Sequence, residues 1–258
     1  MRSAAKQAVV EKYDKMCNNP DKTIACNDIL GYLNLIEANK PNTSKKIKGS
    51  DKDYNMLIET SVDDVMTVCM VWDNMVKQLA SLFVCLNENH DAQERMFTEL
   101  REVPINEMED LNKLEYTEKC LLESLRRAPA LLRGVRIFTK DRGQSLGGYV
   151  IPFKKIKVMF SQYVMMNNEV YWNDALKFDP DRWADFTPEP WIYTPFFAGS
   201  RGCIAKHMAM MLMKLTLSNL ARNFDFEQEF DPKNPPVVNQ AIAVMRFDSG
   251  LPCFVKPA

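Results

Sequence analysis

From Ser50 to Val103 the chain contains neither glycine nor proline. Along that stretch Met56, Val65, Val68, Cys69, Trp72, Met75, Leu79, Leu82, Phe83 and Leu86 recur at helical spacing. They fill more than one stripe, which predicts a long helix covered on several sides. The polar run Asn87 to Asp91 predicts a break. Residues 92–103 then read as a second helix, and 113–127 as a third that stops before Pro129. Two shorter helical segments, 3–16 and 28–38, come first. Between them and the long helix lies a lysine-rich stretch, 40–53, whose charges read as a solvated linker and not as a binding patch.

Beyond Pro129 the texture changes. Eleven of the 14 prolines lie in residues 129–258, among short runs with alternating or β-branched character at 135–139, 148–151 and 157–160. A coil punctuated by Trp and Pro spans 171–195. One more clean helix is predicted over 204–223, and two strands close the chain near 241–246 and 252–255. The expected architecture is α+β, mainly helical with small peripheral sheets. It falls into a helical lead-in and linker (1–52), a helical block (53–128) and a mixed block (129–258), with no internal repeat.

Composition narrows the chemistry. Thirty-three basic against 34 acidic residues leave a net charge of −1 over 258 residues, which gives no support to nucleic-acid binding. None of the nine glycines falls in a P-loop or Rossmann spacing. Two histidines, His90 and His207, are too few for a multi-histidine metal site. Seven cysteines with no Cys-x-x-Cys pair fit neither a zinc ribbon nor a disulfide scaffold. No apolar run reaches the ~18–20 residues needed to span a bilayer, and no targeting signal is expected at Met1.

The most specific segment is PFFAGSRGCIA, residues 195–205, directly before the predicted 204–223 helix. It is expected to place Cys203 at a helix start, where unpaired backbone N–H groups and the dipole favour a thiolate. Gly199 and Gly202 let the loop turn tightly. Arg201 is a fixed charge able to grip a carboxylate, Phe196 is a flat hydrophobe, and Ala205 permits close approach of something large and planar. A thiolate, an anion-binding arginine and an aromatic together suit heme held by cysteine.

Phe196-x-x-Gly199-x-Arg201-x-Cys203-x-Ala205 resembles the heme-binding loop of the cytochrome P-450 superfamily. Two further motifs stand in that family's order. Glu123-x-x-Arg126 lies at i and i+3 on one helix face, and PDRW carries Arg182. The resemblance implies that Glu123, Arg126 and Arg182 form a buried charged triad, tolerable in a core only when each charge is paired. It also implies heme b with Cys203 as axial ligand and Arg201 and Arg136 on the propionates. Arg136 also reads, with less weight, as an ordinary surface strand arginine. NADPH would supply electrons through a cytochrome P-450 reductase. The segments NDILGYL, LNKLEY, SQYVMMNNEVYW, KFDPDRW and CFVKP narrow the similarity to sterol side-chain hydroxylases of the cholesterol 24-hydroxylase type.

The pattern departs from the family at 70–74, MVWDN, where a small pair, an acid and a threonine are expected. Asp73 keeps the acid that would serve proton delivery. Asn74 replaces the threonine, and an amide donates a hydrogen bond but relays protons poorly. The same five residues also read as plain packed helix. The resemblance covers only the C-terminal half of a complete member, so membrane contact is expected only through an absent N-terminal half. The implied location is the cytosolic face of the endoplasmic reticulum. The implied reaction is insertion of one oxygen atom of O₂ into a C–H bond of a sterol or other lipophilic molecule. A heme-thiolate isomerase or dehydratase acting on a peroxide, and an inactive remnant, are the alternatives.

Overall fold

The computed structural model describes residues 2–17, 51–138, 144–151, 156–228 and 253–257. The helix expected over 28–38, the strand over 241–246 and most of the linker lie outside them. The chain divides into two units, Met1–Asp73 and Asn74–Ala258.

Helix α1 (Arg2–Cys17) and the first part of α2 (Asp51–Asn87) build the first unit. Val9, Ile58 and Val62 form its small core. Arg2 bridges Glu59 and Asp63, and Lys6 reaches Glu59, each at 2.7 Å. These pairs are exposed and screened by solvent, so they add little to stability.

The second unit holds the larger core. Asn89 caps α3 (His90–Glu102) by accepting from the Ala92 N–H at 3.1 Å. Ala92, Met96 and Leu100, at i, i+4 and i+8, then face inward. A 3₁₀ turn (Met108–Lys113) leads to α4 (Glu115–Arg127). Leu114 cannot cap this helix, so Glu99 of α3 does so from outside, accepting from the Tyr116 and Thr117 N–H groups at 2.8 and 2.7 Å. Helix α4 ends at Ala128, before Pro129. These helices and the later α6 (Lys206–Asn223) meet at Leu82, Leu86, Met96, Leu100, Leu121, Met213 and Leu217. Each such side chain contributes roughly 1.5–3 kcal/mol on burial.

Three antiparallel pairs flank the helices. Strand β1 (Gly134–Ile137) pairs with β4 (Lys157–Phe160), β2 (Gln144–Leu146) with β3 (Tyr149–Ile151), and β5 (Phe224–Gln228) with β6 (Cys253–Pro257). The fold is therefore mainly helical with small two-stranded sheets. Strands β2 and β5 and the five-residue helix α5 (Gln162–Met166) go beyond the sequence reading. The β2–β3 turn is made by Gly147 and Gly148, at φ 56° and 82°. Such left-handed pairs close two-residue hairpins. Among the described residues no helix is long and apolar enough to cross a membrane.

Candidate functional site

Two structures within the second unit bear on function, a buried charge network and the cysteine loop. Glu123 is fully buried on α4 and accepts five hydrogen bonds. Arg126 donates Nε to its Oε2 at 3.0 Å and Nη2 to its Oε1 at 2.9 Å. Arg182 donates Nε to Oε1, the Trp183 indole to Oε2 and the Asp179 N–H to Oε1, all at 3.0 Å. The Arg126 fork also reaches the carbonyls of Met166, Ala175 and Lys177. Both charges of this pair are thus neutralised and hydrogen-bonded, as burial requires. Arg182 adds the Asn173 carbonyl at 3.0 Å, pinning the coil that precedes the cysteine loop.

That coil carries an aromatic cluster that the sequence reading did not single out. Trp172 is buried, with Arg126 5.1 Å above its ring. Tyr193 packs 4.7 Å from Trp183 and donates its hydroxyl to the Leu122 carbonyl at 2.9 Å. Burial pushes the Tyr193 phenol well above its ordinary pKa, so this donor stays protonated. Gln162 of α5 donates to the Thr194 carbonyl. The chain entering the loop is therefore tied to α4 and α5 within two residues. Non-periodic coil offers no spacing from which such contacts can be read.

From Thr194 the loop closes in nested turns. Phe197 N–H donates to the Thr194 carbonyl at 3.0 Å, Gly202 N–H to Gly199 at 3.0 Å, and Cys203 N–H to Phe196 at 2.8 Å. Phe197 and Gly199 take left-handed angles, φ 60° and 74°. For Phe197 that is a strained conformation, held by its surroundings. A Cβ on Gly199 would meet nothing within 4 Å, so only the backbone angle demands glycine there. Gly199→Ala is expected to cost about 1–2 kcal/mol in a urea melt. An unchanged midpoint would show that the loop relaxes to another shape.

The cysteine does not sit at a helix start. Gly202 is extended at ψ 163°, its successor's N–H is committed to Phe196, and residues 204–205 form a turn before α6 begins at Lys206. Ala205 occupies the N-cap position, and the first-turn amides belong to residues beyond the cysteine. What the loop does provide is access. Cys203 is exposed, whereas burial pushes the Cys85 thiol up to about 12 and the Cys120 thiol higher still.

The hairpin β1–β4 abuts this loop. A Cβ on Gly134 would lie 2.4 Å from the Phe160 ring and 2.5 Å from that of Phe197. Only glycine lets the two rings meet edge to face at 5.9 Å. Arg136 lies 5.6 Å from both ring centroids, beside the loop, with its guanidinium exposed. Arg201 is also exposed and makes no ion pair among the described residues. Asp73 and Asn74 lie on α2, exposed and half-buried, where the first unit ends and the second begins.

The sequence model for Cytochrome P-450 matches residues 5–250. The chain belongs to the cytochrome P-450 family. Human Cytochrome P-450 3A7 is 29% identical over 177 residues, 66% of this chain and 35% of that protein. The Probable cytochrome P-450 508D1 of Dictyostelium discoideum is 29% identical over 221 residues, 83% of this chain and 45% of that protein. Cytochrome P-450 monooxygenase sdnH of Sordaria araneosa is 36% identical over 149 residues, 55% and 27% respectively. The chain thus spans less than half the length of these curated relatives.

Cytochrome P-450 proteins hold heme through a cysteine thiolate, and the residues here fit that group. The loop and the hairpin beside it present one accessible thiol, the arginines Arg201 and Arg136 without a carboxylate partner among the described residues, and the exposed apolar side chains of Phe160 and Ile204. A flat apolar macrocycle bearing two carboxylates needs such a set of partners.

Proposed function

We propose that the protein is a heme-thiolate monooxygenase that inserts one oxygen atom of O₂ into a C–H bond of a sterol-like lipid. The observation that carries the reading is the closed loop, which leaves Cys203 as an exposed thiol with its N–H held by the Phe196 carbonyl. In this reading Cys203 Sγ would hold the iron of heme b, and Arg201 and Arg136 would hold its propionates. Phe196, Gly199 and Ala205 shape the surface it meets. When bound, heme supplies the activation of dioxygen. NADPH provides electrons through a cytochrome P-450 reductase at the cytosolic face of the endoplasmic reticulum.

The chain's own residues then govern binding and protons. The Cys203 N–H is held by the Phe196 carbonyl, which fixes the backbone that carries the sulfur. The Glu123, Arg126 and Arg182 network positions the coil and hence the loop. The Asp73 carboxylate takes up and passes a proton, while the Asn74 amide donates a hydrogen bond but carries no acidic proton to relay. The sterol class rests on the likeness of KFDPDRW, SQYVMMNNEVYW and CFVKP to cholesterol 24-hydroxylase-type enzymes.

With reductase, NADPH and ¹⁸O₂, the heme-loaded protein is expected to place one ¹⁸O atom in a sterol product. Absence of label in any sterol product would overturn the reading. Asn74 should limit the yield. Loss of one proton-transfer group lowers productive turnover by ~10²-fold, roughly 2.7 kcal/mol in the barrier. Asn74→Thr is therefore expected to raise product per NADPH consumed and to lower peroxide release. An unchanged product-to-peroxide ratio would clear Asn74 of that role. Asn74 also favours a second reading, a heme-thiolate isomerase or dehydratase. Turnover of a lipid hydroperoxide without reductase would select it.

A further inference from the structure

A cavity of about 380 Å³ adjoins the cysteine loop, with Thr194 and Phe196 in its lining together with Lys206, His207, Met210 and Met211 of α6. Its volume falls within the roughly 300–1,000 Å³ of small-molecule sites. Thr194 is only 7% exposed, yet its hydroxyl makes no hydrogen bond among the described residues. Thr194 lines the cavity, so this hydroxyl can donate to or accept from a polar ligand atom there.

The charges around it favour an anion. Lys214 has a side chain only 5% exposed and donates to Glu118 at 2.7 Å and to the Leu111 carbonyl at 3.0 Å. That pair neutralises the one acid of the lining. Lys206 and His207 have no ion pair among the described residues and remain available. Met210 and Met211 offer the polarisable, adaptable surface that accepts alkyl and aryl groups of varied shape.

We propose that this cavity binds a small amphipathic anion, a medium-length alkyl or aryl carboxylate. Lys206 and the Thr194 hydroxyl take the headgroup, and Met210 and Met211 take the tail. The site is separate from the exposed thiol of Cys203, but it shares the loop. Phe196 lines the cavity while its carbonyl accepts the Cys203 N–H. Its occupancy does not depend on heme or turnover.

Calorimetry on the full chain without heme tests it, with octanoate as the probe and octyltrimethylammonium as the cation of equal tail. Octanoate is expected to bind saturably at one site, at least tenfold more tightly than the cation. Lys206→Glu should weaken octanoate at least tenfold, and Met211→Trp should do the same by filling the cavity. Circular dichroism establishes that both variants fold. Thr194→Val is expected to weaken binding several-fold. Lack of saturable binding, equal affinity for anion and cation, or unchanged affinity in Lys206→Glu or Met211→Trp would each overturn the proposal.

Discussion

Glu123→Ala is expected to unfold the second unit or bring it to the edge of unfolding. The carboxylate is fully buried and accepts from Arg126 twice, from Arg182, from the Trp183 indole and from the Asp179 N–H. Its removal leaves Arg126 charged and buried, facing only the carbonyls of Met166, Ala175 and Lys177. Carbonyl dipoles satisfy its protons but do not cancel its charge. Breaking a buried pair from one side costs about 3–5 kcal/mol, a large share of the ~5–15 kcal/mol that holds a typical domain. Equilibrium urea denaturation followed by far-UV circular dichroism is the measurement. Arg182→Ala should cost less, because Arg126 still neutralises Glu123 and the Arg182 side chain is 12% exposed. A Glu123→Ala midpoint close to that of the parent chain would sink the argument.

The same network explains why the coil is ordered without regular structure. Arg182 holds the carbonyls of Asn173 and Asp174, Arg126 holds those of Ala175 and Lys177, and Arg127 reaches Leu176. Five successive carbonyls are therefore satisfied by guanidinium groups in place of a strand or helix partner. Buried backbone acceptors need such partners, and here side chains provide them. Tyr193 and Thr194 extend the tether to the mouth of the loop through Leu122 and Gln162.

How far the sequence revealed this depended on whether a feature is local. The long helix, its break after Asn87 and the stop before Pro129 were legible because periodicity and proline act on neighbouring residues. The order of Glu123, Arg126, Arg182 and Cys203 was legible through the resemblance of their motifs to the family's. The start of α6 was not. The apolar run from Ile204 looks helical, but the Cys203 N–H is captured by Phe196, seven residues back, and a long-range bond of that kind leaves no periodic trace. Thr194 and the cavity beside it were invisible for the same reason, since they come together only when α4, α6 and the loop have packed. Strand β5 was lost because its pairing partner, β6, lies 25 or more residues away.

Cys203→Ala is expected to abolish the red-shifted band that thiolate ligation gives the reduced carbon monoxide complex of the heme-loaded protein, while leaving the fold intact. The Cys203 side chain is exposed, and the hydrogen bond that closes the loop uses its backbone N–H, which alanine retains. Exposed substitutions of this kind stay within about 0.5 kcal/mol in stability, so the thermal melt of the heme-free chain should not move. The other cysteines whose side chains are described offer no substitute. Cys85 and Cys120 are buried, and burial disfavours the thiolates that iron would need. His207 is exposed on the first turn of α6, close in sequence, but an imidazole ligand would give a different spectrum. Survival of the thiolate band in Cys203→Ala would assign the ligand to another cysteine. A melt shifted by several kcal/mol would instead mean that the thiol packs within the fold and does not face a ligand.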